Sequence, residues 1–163
     1  NENKKISIIY RNNGLAENLI KLIKFRKKCK IKNFKFYVAN DSQLAKSCMA
    51  DGLYLSSYNK MIYHKLRLNL IGSAHNFKEI YEKIKQGCNT VILSRLFKTS
   101  YKNKKGSLGV VKFNLIMKNY LVDLIPLGGI NDLNLLKLNM VNSKGLALLS
   151  EIKKKPMISH RLF

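Results

Sequence analysis

A chain of 163 residues with 46% hydrophobic and 25% charged residues has globular composition and the length of a single domain, taken as 1–163. No apolar run approaches the roughly 20 residues of a membrane-spanning helix and no charged-then-apolar leader opens the sequence, so a helical membrane protein is excluded, secretion has no support, and the cytoplasm is expected. The net charge of +22, from 31 Lys and Arg against 9 acids, first suggests an anionic partner.

The choice of basic residue argues against nucleic acid. There are 26 Lys and only 5 Arg, beside 18 Asn and 16 Ile. Lys, Asn and Ile share A- and T-rich codons, so genome base composition accounts for the bias, whereas specific base readout leans on Arg. Nucleic acid is therefore not expected as the main partner. Cys29, Cys48 and Cys88 are odd in number and lack C-x-x-C spacing, which reads as free thiols in a reducing compartment.

Along the chain, Ile6 to Tyr10 is strand-like and ends at Arg11. Leu15, Leu19, Leu22 and Ile23 then recur at helical spacing. Phe34 to Val38 is the second strand, and Asn40-Asp41-Ser42 supplies N-cap residues for a helix through Leu44, Ala45, Cys48 and Met49. Gly52 to Leu55 is the third strand and Leu68 to Ile71 the fourth, with a stop expected at Gly72-Ser73. A helix with Phe77, Ile80, Tyr81 and Ile84 on one face follows, closed by Gly87. Thr90 to Leu93 is the fifth strand, and 94–109 reads as a long polar loop. A helix around Phe113, Leu115 and Ile116, a strand Leu124 to Leu127, a short helix with Leu133, Leu135 and Leu136, and a strand Gly145 to Leu149 complete the series.

Seven strand candidates alternating with helices imply right-handed βαβ units and a parallel sheet. An open doubly wound sheet and a (β/α)8 barrel both fit. A barrel would be one βα unit short, and the chain begins at Asn1 rather than Met, so an absent N-terminal unit would explain the shortfall.

Both architectures bind ligands beyond the C-terminal strand ends. Those exits are Arg11, Asn40-Asp41, Ser56 to Asn59, Ser73 with His75, Ser94 to Lys105, Gly128-Gly129 and Ser150. Gly128-Gly129 between a strand and a helix lets backbone N–H groups approach a phosphate, with a plain tight turn as the bland alternative. Thr99-Ser100-Tyr101-Lys102 lies in the longest loop, where Lys102 either closes over a polyanion or belongs to a solvated basic loop. Asp41 either helps bind Mg²⁺ or caps a helix. His75 is either a general acid or base or a polar residue of a helix's first turn.

Val38-Ala39-Asn40-Asp41, Ala50-Asp51-Gly52-Leu53-Tyr54-Leu55, Gly72-Ser73-Ala74-His75, Gly128-Gly129-Ile130-Asn131 and Leu149-Ser150 together resemble thiamine phosphate synthase and its relative, the thiazole tautomerase family. The resemblance runs from about Ile6 to Ile152. Tyr10-Arg11, Leu93-Ser94 and Phe97-Lys98-Thr99 through Leu108-Gly109 look like a divergent alphaproteobacterial branch.

The resemblance implies an α/β fold, a (β/α)8 TIM barrel without its first βα unit. It also implies phosphorylated pyrimidine and thiazole substrates and Mg²⁺ as cofactor. By position Arg11, Asn40, Ser73 and Lys102 look like pyrophosphate ligands, Asp41 like a Mg²⁺ ligand, and Thr99, Gly129 and Ser150 like contacts of a thiazole phosphate, with Gly128, Tyr101 and Leu149 beside them. His75 falls where the tautomerase carries a catalytic His. The pattern departs at several places. The second Mg²⁺ carboxylate falls on Asn59, a Gln on Ile9, a Lys on Asn13 and a Thr on Tyr101, and Gly-Gln after the third strand becomes Ser56-Ser57. Three readings follow: a thiamine phosphate synthase-like transferase, a tautomerase-like isomerase, and a non-catalytic binder of a thiamine precursor or of nucleic acid. A strand edge left open by a missing unit makes a homodimer plausible.

Overall fold

The computed structural model describes residues 5–12, 18–63, 67–99 and 106–149. Six strands form one all-parallel sheet in sequential order: β1 Ser7–Tyr10, β2 Lys35–Ala39, β3 Gly52–Leu55, β4 Asn69–Ala74, β5 Thr90–Ser94 and β6 Asp123–Leu127. A doubly wound sheet reverses its strand order at a switch point. Here the order runs one way, as in a barrel wall. At the seventh expected strand there is a single parallel bridge between Leu127 and Ala147, so the described residues hold six strands and one bridge.

Among the described residues, four helices run between the strands: α1 Leu19–Ile31, α2 Ser42–Ser47, α3 Phe77–Lys85 and α4 Gly109–Met117. A 3₁₀ segment, Asp132–Met140, follows β6. Helix starts follow local chemistry, because the first N–H groups of a helix need acceptors. Asn18 caps α1 by accepting from the Lys21 N–H, and Asn76 caps α3 by accepting from the Glu79 N–H, both at 2.9 Å.

The period-2 alternation of the strands sorts side chains to two faces. Phe36, Val38, Leu53, Leu55, Leu70, Val91, Leu93 and Leu124 face outward onto Leu22, Cys29, Ala45, Ile80, Phe113 and Ile116 of the helices, and all of these are buried. Each such Leu, Ile or Phe contributes about 1.5–3 kcal/mol of burial. Tyr37, Tyr54 and Ile92 project the other way and pack with Ile9, Ala39, Ile71, Ile125, Leu127 and Ala147. That second layer lines the inner face of the sheet.

Two elements differ from the sequence expectation. β4 does not stop at Gly72-Ser73 but runs to Ala74, since Gly72 pairs with both Leu55 and Val91 and Ser73 with Ile92. Glycine is required at 72 because a Cβ there would lie 2.7 Å from Lys83 Cγ. On α3 the buried positions are Ile80 and Lys83, while Phe77 and Tyr81 are 53% and 56% exposed. Of the expected apolar stripe, Ile80 and Ile84 pack on the core while Phe77 and Tyr81 do not, and the fully buried Lys83 was not foreseen.

Candidate active site

Because the strands are parallel and sequentially ordered, their C-terminal ends share one rim. Arg11 follows β1, Asn40 follows β2, Ser56 follows β3, Ser73 lies in β4 with His75 just beyond, Thr99 lies past β5, and Gly128-Gly129 follows β6. Lys102, Tyr101 and Ser150 lie outside the described residues, as does Asn13. Leu149 is at the end of the described chain and is exposed.

Arg11 points across the inner face. Its Nη2 donates to the Tyr54 hydroxyl, and its guanidinium carbon stands 4.8 Å from the Tyr54 ring centroid. Tyr54 is itself 2% exposed, so a rigid aromatic holds a permanently charged group at the rim. Tyr54 was not singled out from sequence. Its signal is the alternation that places every second residue of β3 inward.

Asn40 adopts φ +59°, a left-handed conformation that Asn tolerates better than most residues. Its Oδ1 accepts from the Ser56 N–H at 3.0 Å, from Ser56 Oγ at 3.0 Å and from Asn59 Nδ2 at 3.2 Å. The backbone donor fixes which end of the amide is oxygen. That oxygen is saturated, so Asn40 offers a ligand only its Nδ2 side, now donating to the Tyr58 hydroxyl at 3.2 Å. An N–H donor beside Arg11's strand suits an anion.

Asp41 caps α2, its Oδ1 accepting from the Leu44 N–H at 2.8 Å. Its other oxygen has no partner among the described residues. Asn59 is buried at 9% exposure. Its Oδ1 accepts from the Met61 N–H at 2.9 Å, and its Nδ2 donates to Asn40 Oδ1 at 3.2 Å and Tyr63 Oη at 3.4 Å. The donor set therefore fits Mg²⁺ in one respect. Mg²⁺ is commonly held by one or two carboxylates together with substrate phosphates, and Asp41 meets that pattern. Asn59 brings no second carboxylate; its Oδ1 accepts one N–H, from Met61, and as an amide oxygen it has a second lone pair. Among the described residues no cluster of three or more His, Cys, Asp or Glu could hold a metal by itself.

Ser73 is buried on the inner side of β4. His75 is 48% exposed at its side chain, and its Nδ1 lies 3.0 Å from Glu79 Oε2, which also accepts from the His75 N–H at 2.8 Å. Burial works to raise the Glu79 carboxyl, but the bonds from the His75 ring and backbone, with one from Asn76, outweigh it and hold the group below its ordinary value. His75 is thus oriented by the start of α3.

On the far side of the rim, the β5 and β6 exits are zipped together. The Leu96 N–H donates to Leu127 O at 2.9 Å and the Phe97 N–H to Gly128 O at 3.0 Å. Gly129 has φ +71°, and a Cβ there would stand 2.4 Å from both Phe97 O and Lys98 O. This close approach requires Gly129 and sets it beside the segment carrying Thr99. Thr99 Oγ1 accepts from Arg95 Nη1 at 3.1 Å, a pairing not foreseen, although Arg95 is one of only five arginines.

Comparison with known proteins bears on the family and the fold. The family model for thiamine monophosphate synthase matches residues 5–152. Thiamine-phosphate synthases from two Prochlorococcus marinus strains are each 30% identical, over 131 and 139 residues. These alignments cover 76% and 82% of this chain but 37% and 40% of the relatives, so the chain spans about two fifths of their length. A Chlorobium phaeobacteroides thiamine-phosphate synthase is 24% identical over 132 residues, covering 77% of this chain and 64% of that one. In fold, the chain is similar to a thiamine phosphate pyrophosphorylase from Pyrococcus furiosus. The TM-score is 0.72 at 19% identity, with 90% of this chain and 73% of the other covered. The barrel-type winding, the order of the rim residues and a match over nearly the whole chain converge: this chain belongs to the thiamine monophosphate synthase family.

Proposed function

We propose that the chain is a thiamine phosphate synthase-like transferase acting within a (β/α)8 barrel domain in the cytoplasm. It would join hydroxymethylpyrimidine diphosphate to a thiazole phosphate. The bond between the hydroxymethyl carbon and the diphosphate oxygen breaks, its electron pair leaves with pyrophosphate, and the thiazole nitrogen lone pair forms the new C–N bond. The observation that carries this reading is the pairing, at adjacent strand ends, of the braced Arg11 guanidinium with an Asn40 amide whose oxygen is saturated and whose N–H side donates outward to the exposed Tyr58 hydroxyl.

In this reading Arg11, the Asn40 Nδ2, Ser73 and Lys102 bind the diphosphate and stabilise the charge that grows on it as it departs. Thr99 and Gly129, held together by the β5–β6 zipper, bind the thiazole phosphate with Ser150, and Gly128, Tyr101 and Leu149 flank them. Asp41 would hold Mg²⁺ together with the diphosphate oxygens. When bound, the ion supplies further neutralisation of the leaving group. Asn59 serves as a brace for Asn40.

A tautomerase-like isomerase is the second reading, favoured by the His75–Glu79 pair, which orients an imidazole as a base–orienter pair does. The test mixes the full chain with pyrimidine diphosphate, thiazole phosphate and Mg²⁺ and detects thiamine phosphate by mass. The transferase predicts product that Arg11→Ala largely abolishes. Tight binding of either substrate without product would overturn it.

A further inference from the structure

The buried Lys83 on α3 has no place in the proposed chemistry, yet it makes two close polar contacts. Its side chain is completely buried, its stem lies over Gly72, and its Nζ donates to the Asn59 carbonyl at 2.7 Å and to Gln86 Oε1 at 2.8 Å. Gln86, also buried, donates through Nε2 to the carbonyls of Asn59 at 3.0 Å and Met61 at 2.7 Å. Two side chains one helical turn apart thus grip two carbonyls of the loop after β3. A second tie joins Lys60 to Glu82.

The grip reaches the rim through Asn59. Its backbone is held by Lys83 and Gln86, its side-chain oxygen by the Met61 N–H, and its Nδ2 donates to Asn40 Oδ1. If the loop shifts, the Asn40 oxygen loses Asn59 and Ser56 together, and the amide is free to turn. Burial draws the Lys83 ammonium below the ordinary lysine value, a cost expected only where its acceptors are well placed.

We propose that Lys83 and Gln86 are positioning residues: they clamp segment 56–63 against α3 and thereby hold the Asn40 amide with its N–H side toward an anionic substrate. This rests on the diphosphate reading of the rim, whereas the clamp itself does not. A loose amide would present oxygen and nitrogen alternately, and oxygen repels phosphate.

The test uses the full chain with Lys83→Met, which keeps the stem over Gly72, and Gln86→Met. Two quantities are read: backbone amide exchange at Asn59 and Met61, and affinity for inorganic pyrophosphate by calorimetry. Faster exchange confined to 56–63, with pyrophosphate binding about tenfold weaker, or about 1.4 kcal/mol, supports the proposal. A folded variant with wild-type loop exchange and wild-type affinity overturns it, as does a uniform rise in exchange across β2 and β5 with unchanged affinity. If Lys83→Met does not fold, Gln86→Met gives the same two readings with the Lys83–Asn59 bond kept. Wild-type protein that binds no pyrophosphate overturns the diphosphate reading instead, and the exchange measurement then decides the clamp.

Discussion

Replacing Asn59 with Asp exchanges one NH₂ group for an oxygen and removes the donor of two hydrogen bonds. In the native protein Asn59 Nδ2 donates to Asn40 Oδ1 at 3.2 Å and to Tyr63 Oη at 3.4 Å. Tyr63 can turn its hydroxyl to donate to a carboxylate, so that contact survives. The Asn40 contact does not, because Asn40 Oδ1 is fixed as oxygen by the Ser56 N–H. One lost hydrogen bond costs about 0.5–1.5 kcal/mol, and leaving a buried charged oxygen against another acceptor adds about 1–3 kcal/mol. Asn59→Asp should therefore destabilise the metal-free protein by about 2–4 kcal/mol, or roughly 5–15 °C in Tm for a chain of this size. If Mg²⁺ binds at the rim as proposed, it should return part of the loss by partnering the new carboxylate. Thermal unfolding with EDTA and with excess Mg²⁺ measures both effects. A variant as stable as wild type in EDTA would refute the orientation of the Asn40 amide on which the anion site depends.

Tyr54→Phe keeps the ring under Arg11 but removes its acceptor. On the proposed reading, the KM for the pyrimidine diphosphate should rise about three- to tenfold, within the roughly 0.5–1.5 kcal/mol net worth of one hydrogen bond, with little change in Tm. An unchanged KM would show that the stack alone positions Arg11. Gly129→Ala forces a Cβ to within 2.4 Å of two carbonyls at φ +71°. It should cost about 1–3 kcal/mol in urea unfolding and weaken thiazole phosphate binding, whereas a neutral result would deny the close approach of the two loops. The Glu79 carboxyl is held below its ordinary value of 4.5, the pull of His75 and Asn76 exceeding the opposing effect of burial. A depressed folded value means stability that is fully present above that ordinary value and lost as pH falls through the depressed one. Glu79→Gln should therefore flatten the acid limb of the stability profile, and an identical acid limb would reject the pairing.

Strand existence was legible because the strands are short, mostly apolar runs between polar turns, and β3 at Gly52–Leu55 matches its expected bounds. The cap at Asp41 was legible as well, since a short acceptor side chain ahead of a helical run has few other local uses. β4 was cut short because Gly72 reads as a breaker. Only the packed Lys83 stem shows why a glycine is needed there. The seventh strand shows only in part: Gly145 to Leu149 has the apolar pattern of a strand and makes one bridge among the described residues. Tyr54 and Arg95 escaped notice because their partners, Arg11 and Thr99, are set by strand register and loop path. Lys83 escaped because a lysine in a basic helix reads as solvated until its exposure is known.

What the sequence determined by itself was local and ordered: which segments are strands, which polar residues follow them, and the succession of motifs that resembles a family. These depend on spacing along the chain and on side-chain chemistry, both of which the sequence states outright. What only the tertiary structure decided was orientation. It turned the Asn40 oxygen into the β3 loop, engaged both ends of the Asn59 amide, and set a lysine in the core as a clamp. An amide's two ends and a lysine's two fates differ only in which neighbour is within about 3 Å, and neighbours distant in sequence are chosen by the fold.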